Sequence, residues 1–245
     1  VIISRAYDEL KELAEKAQIP VITTLLGISS FPETHVLSVG MPGMHGVAYA
    51  SLALDRSDLI ISLGSRFDDR VTGRVSAFAP KAKIIHVDVD PAAIGQNVKT
   101  HIPIVGDIRR VLRILNQEVE EATHTEWLDE IEELRRQHPS LRLRDKPTLT
   151  MQYILKQLSD ITQGKATIVT GVGQHQMWAA LFYTFTEQNT MITSGGLGAM
   201  GFEIPAAMGA QVARPDALVW TIAGDGGFQM TLSELATIVE NKIPV

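Results

Sequence analysis

Short β-branched runs and amphipathic helical stretches alternate along the chain. Over residues 7–17 the apolar positions Leu10, Leu13, Ala14 and Ala17 share one helical face, and Pro20-Val21-Ile22-Thr23 then reads as a strand. Leu59-Ile60-Ile61-Ser62-Leu63 and Ile84-Ile85-His86-Val87 are continuous apolar runs that end in polar turns, the pattern of strands buried on both faces. Asp107 is placed to cap a helix in which Val111, Leu112, Leu115 and Val119 recur at helical spacing. Over residues 126–146 more than half of the side chains are charged. Trp127, Leu128, Ile131 and Leu134 leave only a thin apolar stripe, which predicts a surface helix followed by a linker. Pro147 opens a second alternating region, with a helix near 151–158 and strands at Thr167-Ile168-Val169 and Met191-Ile192-Thr193. A helix around 205–212, a strand at 218–223 and a helix from Leu232 follow, with Thr231 and Glu234 forming a capping box for the last.

This alternation predicts an α/β fold of two domains, each a parallel sheet flanked by helices. The boundaries fall at 1–121 for the first domain, 122–146 for the charged helix and linker, and 147–245 for the second. Both ends read as interior sequence: Val1-Ile2-Ile3 lacks a methionine, and Asn241-Lys242-Ile243-Pro244-Val245 looks like a helix exit running into a strand. Truncation at both ends is therefore expected.

Composition narrows the classes. Hydrophobic residues make up 45% and charged residues 20% of 245, ordinary for a globular chain with a large core. Acidic residues outnumber basic ones 28 to 22, for a formal charge of −6, which argues against nucleic acid as the main partner. There is no cysteine, so disulfides, thiolate catalysis and zinc–sulfur sites are excluded. The apolar runs are too short to span a bilayer, and no membrane association is expected.

Candidate chemistry clusters where strands end. Asp225 follows the apolar run 218–223, at the edge where open parallel sheets bind ligands, and Gly224, Gly226 and Gly227 let a bulky anion approach backbone amides. A carboxylate there suits Mg²⁺, which takes oxygen ligands and shares them with phosphates; a capping Asp in a glycine turn is the plain alternative. Gly196-Leu197-Gly198-Ala199-Met200-Gly201 matches the GxGxxG dinucleotide fingerprint and raises an NAD-dependent dehydrogenase as a rival. Glu203 and Pro205 in the following helical turn weigh against that reading. Gly171-Val172-Gly173-Gln174-His175 could meet phosphate oxygens or simply open a helix. In the first domain, Gly64-Ser65-Arg66-Phe67-Asp68-Asp69-Arg70 follows a strand directly. Arg66 and Arg70 there suit carboxylate or phosphate recognition, or belong to a surface network with Asp68 and Asp69. Asp88 is placed to hold a ribose hydroxyl pair or to cap the turn before Pro91. His35, His101, His124 and His138 show no ligand spacing.

Taken together, Gly43-Met44-His45-Gly46, Arg66-Phe67-Asp68-Asp69-Arg70-Val71-Thr72-Gly73, Gly173-Gln174-His175-Gln176-Met177-Trp178, Ser194-Gly195-Gly196-Leu197-Gly198-Ala199-Met200-Gly201-Phe202 and Gly224-Asp225-Gly226 run in order over nearly the whole chain. In that order they resemble the thiamine-diphosphate enzymes, and within them the acetohydroxyacid (acetolactate) synthase large subunits. The resemblance implies a middle domain that binds FAD through His45, Gly64, Ser65, Arg66, Asp68, Asp88, Val89 and Asp107. Arg70 would receive the carboxylate of the second 2-oxo acid. It implies a second domain that holds thiamine diphosphate through Gly173, Gln174, His175, Gly198, Met200, Asp225, Gly226 and Gly227, with Asp225 on Mg²⁺. Such enzymes decarboxylate pyruvate and join the remaining two-carbon unit to a second 2-oxo acid, early in branched-chain amino-acid synthesis. FAD has no net redox role in them. The resemblance also implies a homodimer or tetramer, a small regulatory subunit, and a cytoplasmic, plastid or mitochondrial setting. The family's second metal ligand would lie beyond Val245, and its activating glutamate in an N-terminal domain of the partner subunit. The 245 residues alone are therefore expected to be inactive. Gly227 stands where serine or alanine is also seen, with little consequence expected. A glyoxylate carboligase or a pyruvate oxidase would share the GDG turn, and a non-catalytic nucleotide-binding module is the alternative outside the superfamily.

Overall fold

Parallel pairing of short apolar runs builds the molecule. The computed structural model describes residues 1–143 and 149–245, and the chain divides into two compact units, Val1–Phe31 with His35–Ser140 and Pro32–Thr34 with Leu141–Val245. The family of parallel sheets with covering helices expected from the sequence is what the chain forms.

The first unit contains α1 (Tyr7–Lys16), β1 (Val21–Ile22), β2 (Ser38–Gly40), α2 (Ala48–Arg56), β3 (Leu59–Leu63) and α3 (Asp69–Thr72). It continues with β4 (Lys83–Asp88), β5 (Ile102–Val105), α4 (Ile108–Glu118) and α5 (Thr125–Gln137). β1 and β2 pair in parallel, and β3-β4-β5 form a parallel sheet with β4 in the middle. Alternation along β4 assigns its side chains to two faces. Val87, with Ile85 beside it, packs on Leu10, Leu13 and Ala14 of α1 and Ile108 and Leu112 of α4, while Ile84 packs on Phe67 and Val98. Burial of these side chains is the main favourable term, at about 1.5–3 kcal/mol for each fully buried Leu or Val. α1 is also clamped to α4 by charge. Glu9 Oε1 accepts from Arg109 Nε at 2.7 Å and Arg113 Nε at 2.9 Å, and Asn116 Nδ2 donates to the Glu9 carbonyl at 3.0 Å. The Arg109 hydrogen bond holds the buried Glu9 carboxyl below the usual carboxylate range.

The charged stretch forms α5 and lies within the first unit. Ile131 and Leu134 are buried, the helix packs on α2, and Arg135 lies 5.2 Å over the Tyr49 ring while its Nη2 donates to the Ser38 carbonyl at 3.0 Å. A thin apolar stripe is thus enough to seat the helix. The last part of the expected linker, residues 144–146, lies outside the described residues, as does Pro147.

The second unit contains α6 (Met151–Thr162), β6 (Thr167–Thr170), α7 (Gln174–Phe182), β7 (Met191–Thr193), α8 (Glu203–Ala213), β8 (Val219–Ile222), α9 (Asp225–Thr231) and α10 (Glu234–Glu240). The strand order is β7-β6-β8, all parallel, so β6 is central and every one of its residues is buried. α8 covers one face through Ala207 against Val169 and Val219. α6 and α7 pack on each other, tied by Thr162 Oγ1 and Tyr183 Oη at 2.8 Å.

Two expectations are corrected here. β3 is not buried throughout: Leu59 is 48% exposed, because β3 is an edge of its sheet among the described residues. Trp220 on β8, and Leu218 just before it, are exposed in the same way. The capping box is absent. Thr231 ends α9 with a buried, unpartnered Oγ1, and α10 starts from Ser233 with no side-chain cap, because the chain is already helical when it reaches Thr231.

Candidate functional site

In a parallel sheet every strand delivers its C-terminal end to the same edge, and loops at that edge are free to meet a ligand. In the second unit the sheet order brings together the turns after β6, β7 and β8, which are separated by some tens of residues in sequence.

β6 runs into Gly171-Val172-Gly173. Gly173 has φ 147° and ψ −161°, a conformation open to glycine alone, and α7 starts at the next residue. Gln174 is therefore exposed at the head of α7 rather than on a loop, and the His175 ring turns back over Gly224. A Cβ on Gly224 would stand 2.8 Å from His175 Cε1, so the glycine is there to admit the ring. His175 Nε2 is buried without a partner, and burial pushes the imidazole pKa below its ordinary value against the opposing pull of Glu203 and Asp225. β6 and β7 are locked beneath this turn by Thr170 Oγ1 donating to Thr193 Oγ1 at 2.9 Å and by Gln176 Nε2 donating to the same oxygen at 2.7 Å.

After β7, residues 194–201 form turns, and α8 begins only at Glu203. The whole GxGxxG run thus lies before the helix, whereas the dinucleotide fingerprint needs its glycines to carry a strand directly into a helix. This removes the structural basis for the dehydrogenase reading. Gly198 (φ +72°) donates its N–H to the Ser194 carbonyl at 2.8 Å, and Ala199 N–H donates to Ser194 Oγ at 3.0 Å. Met200 lies against the third turn, since a Cβ on Gly226 would stand 3.1 Å from its Cε.

After β8, Gly224 leads into α9, whose first residue is Asp225. The glycine turn of the sequence reading is thus a helix start, with Gly226 and Gly227 in the first turn, where backbone N–H groups have no partner within the helix. Asp225 is exposed, so no desolvation cost calls for a cation. The chemistry of the donors does fit one, however. A single carboxylate beside phosphate-accessible amides suits Mg²⁺ shared with a diphosphate, because this ion keeps several non-protein ligands. No group of three or more His, Cys, Asp or Glu able to hold a metal by themselves exists among the described residues. Glu203 was overlooked as a site residue. It is 1% exposed, both its carboxylate oxygens lack hydrogen-bond partners, and it sits against Gly171 and Gly227. The available signal was an acidic residue set inside the apolar run Phe202-Ile204-Pro205.

The first unit repeats the arrangement. β3, β4 and β5 end side by side at Gly64, Asp88 and Gly106-Asp107, joined by Gly64 N–H donating to the Val87 carbonyl at 2.8 Å and Gly106 N–H donating to the Asp88 carbonyl at 2.9 Å. Ser65 and the exposed Arg66 follow Gly64, and the exposed Val89 follows Asp88. Asp88 Oδ1 accepts from Asp90 N–H at 2.9 Å, and Asp107 Oδ1 caps α4 through Arg110 N–H at 3.2 Å. Asp68 caps α3 through Arg70 N–H at 3.1 Å, and Arg66 makes no ion pair among the described residues. Arg70 pairs with Asp69 at 2.7 Å in the open. The turn at 43–46, which carries the exposed His45, meets α3: Met44 N–H donates to the Arg70 carbonyl at 2.8 Å.

Below this edge His86 is buried on β4, its ring edge-to-face with Phe67 at 5.2 Å and its nitrogens without a well-formed hydrogen bond. Burial pushes its pKa below the ordinary histidine value, against a smaller opposing pull from Asp88 and the Ser65 backbone. With the folded pKa lowered, the neutral ring is favoured on folding. Stability is then full above about pH 6.5 and is lost as pH falls from there to the folded pKa. Urea midpoints measured between pH 7.5 and 5.5 should fall on acidification, and fall less in His86→Phe. An equal loss in both proteins would remove His86 as a source.

Comparison with known proteins agrees with this layout. Residues 1–115 match the central domain of the thiamine pyrophosphate enzymes, and residues 171–245 match their C-terminal TPP binding domain. The chain belongs to the thiamine pyrophosphate (thiamine diphosphate) enzymes. Over its whole length it is similar to proteins named acetolactate synthase. It is 48% identical to the acetolactate synthase of Mycobacterium leprae, with 100% of this chain and 40% of the relative covered. It is also 48% identical to the acetolactate synthase large subunit of Corynebacterium glutamicum, with the same coverage. Identity to the chloroplastic acetolactate synthase 1 of Zea mays is 46%, covering 97% of this chain and 38% of that protein. The chain thus spans about two fifths of the length of these relatives. No helix among the described residues is long and apolar enough to cross a membrane.

Proposed function

We propose that the protein is the large subunit of an acetolactate synthase, which condenses decarboxylated pyruvate with a second 2-oxo acid to 2-acetolactate or 2-aceto-2-hydroxybutyrate. The observation that carries this reading is the meeting of three turns at one sheet edge: Gln174 and His175, then Gly198 and Met200, then Asp225, Gly226 and Gly227. The relatives' names narrow it from the superfamily to this activity. Residues 1–121 would form the FAD domain and residues 147–245 the thiamine-diphosphate domain, with 122–146 between them.

Asp225 would hold Mg²⁺, and the amides of Gly226 and Gly227 with Gln174, His175 and Gly173 would hold the diphosphate. Gly198 and Met200 would line the aminopyrimidine. When bound, thiamine diphosphate supplies the electron sink that makes loss of CO₂ from a 2-oxo acid feasible. The chain's part is to fix that group and keep water away. In the first unit His45, Gly64, Ser65, Arg66, Asp68, Asp88, Val89 and Asp107 would meet FAD, for which the open Arg66 guanidinium and the three joined strand ends are the supporting features. Arg70 would receive the acceptor's carboxylate by exchanging it for Asp69. Homodimer or tetramer assembly, a small regulatory subunit and a cytoplasmic or organellar setting follow from the same reading.

The test is an assay of the intact protein with pyruvate alone and with 2-oxobutyrate added. Acetolactate formation that requires thiamine diphosphate and Mg²⁺ supports the assignment; NAD reduction without acetolactate would sink it. Arg70→Lys keeps the charge but loses the bidentate fork. It should slow carboligation more than the release of CO₂ from pyruvate. Equal slowing of both steps would assign Arg70 to the cofactor or to the fold.

A further inference from the structure

We propose that Glu203 is a positioning residue that sets the spacing of the two glycine turns proposed to face the diphosphate, and that Gly227 is glycine because Glu203 fills its side-chain space. The inference rests on the thiamine-diphosphate reading of this edge and goes beyond it.

Glu203 is the first residue of α8, and its side chain is 1% exposed. Neither carboxylate oxygen has a hydrogen-bond partner, a costly arrangement for a polar group unless the surroundings demand its shape. The N-terminus of the 11-residue α8 offsets part of that cost, because helix N-termini favour acidic groups. The carboxyl group reaches between two backbones. A Cβ on Gly171, in the turn that leads to Gln174 and His175, would overlap Glu203, and so would a Cβ on Gly227, in the first turn of α9. The same wedge therefore touches both turns, two residues beyond Asp225 on one side and three before Gln174 on the other.

It follows that position 227 is not free to carry serine or alanine in this chain. The two positions exchange volume: a side chain at 227 requires a shorter one at 203. Deleting the wedge instead lets the turns drift, and the Asp225 carboxylate drifts with them. Supporting groups of this kind typically change metal affinity about 10–100-fold.

The experiment uses the intact protein with thiamine diphosphate and Mn²⁺ as probes, Mn²⁺ being followed by its electron paramagnetic resonance, alongside thermal melting without cofactor. Gly227→Ala should lower Tm by several degrees and weaken Mn²⁺–thiamine diphosphate binding about tenfold or more. Glu203→Ala should also weaken binding about tenfold, whereas Glu203→Gln, which keeps the shape, should bind within about twofold of the unaltered protein. The double variant Glu203→Ala, Gly227→Ala should regain most of the Tm and the affinity lost by Gly227→Ala alone, as expected for residues in contact. Additive losses overturn the proposal. So does unchanged affinity in Glu203→Ala with only Tm reduced, since that marks a purely structural side chain. Failure of Glu203→Gln to bind would replace shape by charge and overturn it as stated. If the unaltered protein binds no thiamine diphosphate, it is the proposed function that falls, while recovery of Tm in the double variant still reads the steric pairing.

Discussion

Asp225→Asn should leave the folded protein nearly as stable as before and yet weaken its hold on thiamine diphosphate with Mg²⁺ by at least about 100-fold, above the range for supporting groups. The side chain is exposed at the head of α9 and makes no hydrogen bond that the helix needs, so an isosteric amide costs little in folding, as is usual for surface positions. Binding is different. In the proposed site Asp225 would be the anionic protein ligand on which a Mg²⁺ shared with the diphosphate depends. Asparagine keeps the oxygen but not the charge that offsets a divalent ion. The melting curve without cofactor and the Mn²⁺–thiamine diphosphate titration measure the two effects separately. Retention of affinity within a few-fold, in a protein that melts normally, would remove Asp225 from the metal site.

Gly43→Ala should be strongly destabilising to the first unit, with a loss of about 2–5 kcal/mol. Two independent costs add. Gly43 has φ +91°, where an L residue is strained, at about 1–2 kcal/mol. Its Cβ would overlap the Arg70 carbonyl and stand 2.9 Å from Val71 Cα, and overpacking of this kind costs about 1–3 kcal/mol. Backbone cannot move aside as a flexible side chain would. The relief open to the chain is to lift the turn at 43–46 from α3, which breaks the 2.8 Å bond from Met44 N–H to the Arg70 carbonyl and frees Gly43 N–H from Ser51 Oγ. Arg70 then loses its fixed position. With Arg70 in its proposed role, the apparent affinity for the second 2-oxo acid should fall along with the urea midpoint. A variant with unaltered stability would show that the turn is looser than its geometry states.

Much of this was legible in the chain itself. The helical face of Leu10, Leu13 and Ala14, the capping Asp107 and the apolar run of β4 are local signals, and each is where its pattern put it. The glycine-bearing turns after β6, β7 and β8 were equally visible, since a backbone that must bend sharply or admit a ligand announces itself through glycine.

What the sequence misjudged depends on which strands have neighbours. β3 and β8 carry apolar runs but are edges of their sheets among the described residues, whereas β6 lies between two strands, so its residues are all buried while Leu59 and Trp220 are not. A run of valine and isoleucine reports a preference for extended backbone and says little about position within a sheet. The helix at Asp225 was hidden for the opposite reason. Three glycines read as a turn, yet Asp225–Thr231 is helical, with the buried Gly227 lying against Glu203 of α8.

The sequence by itself determined the order of elements, their alternation into parallel sheets and the identity of the turns that could do chemistry, because all of these follow from patterns within a few residues. Only the tertiary structure decided what those turns rest on. Met44 meets Arg70, the His175 ring displaces any side chain from Gly224, and Glu203 fills the space of Gly171 and Gly227, all across gaps of more than 20 residues. Contacts of that range are set by how strands are ordered and helices seated, and close packing then leaves room for one side chain where two backbones meet.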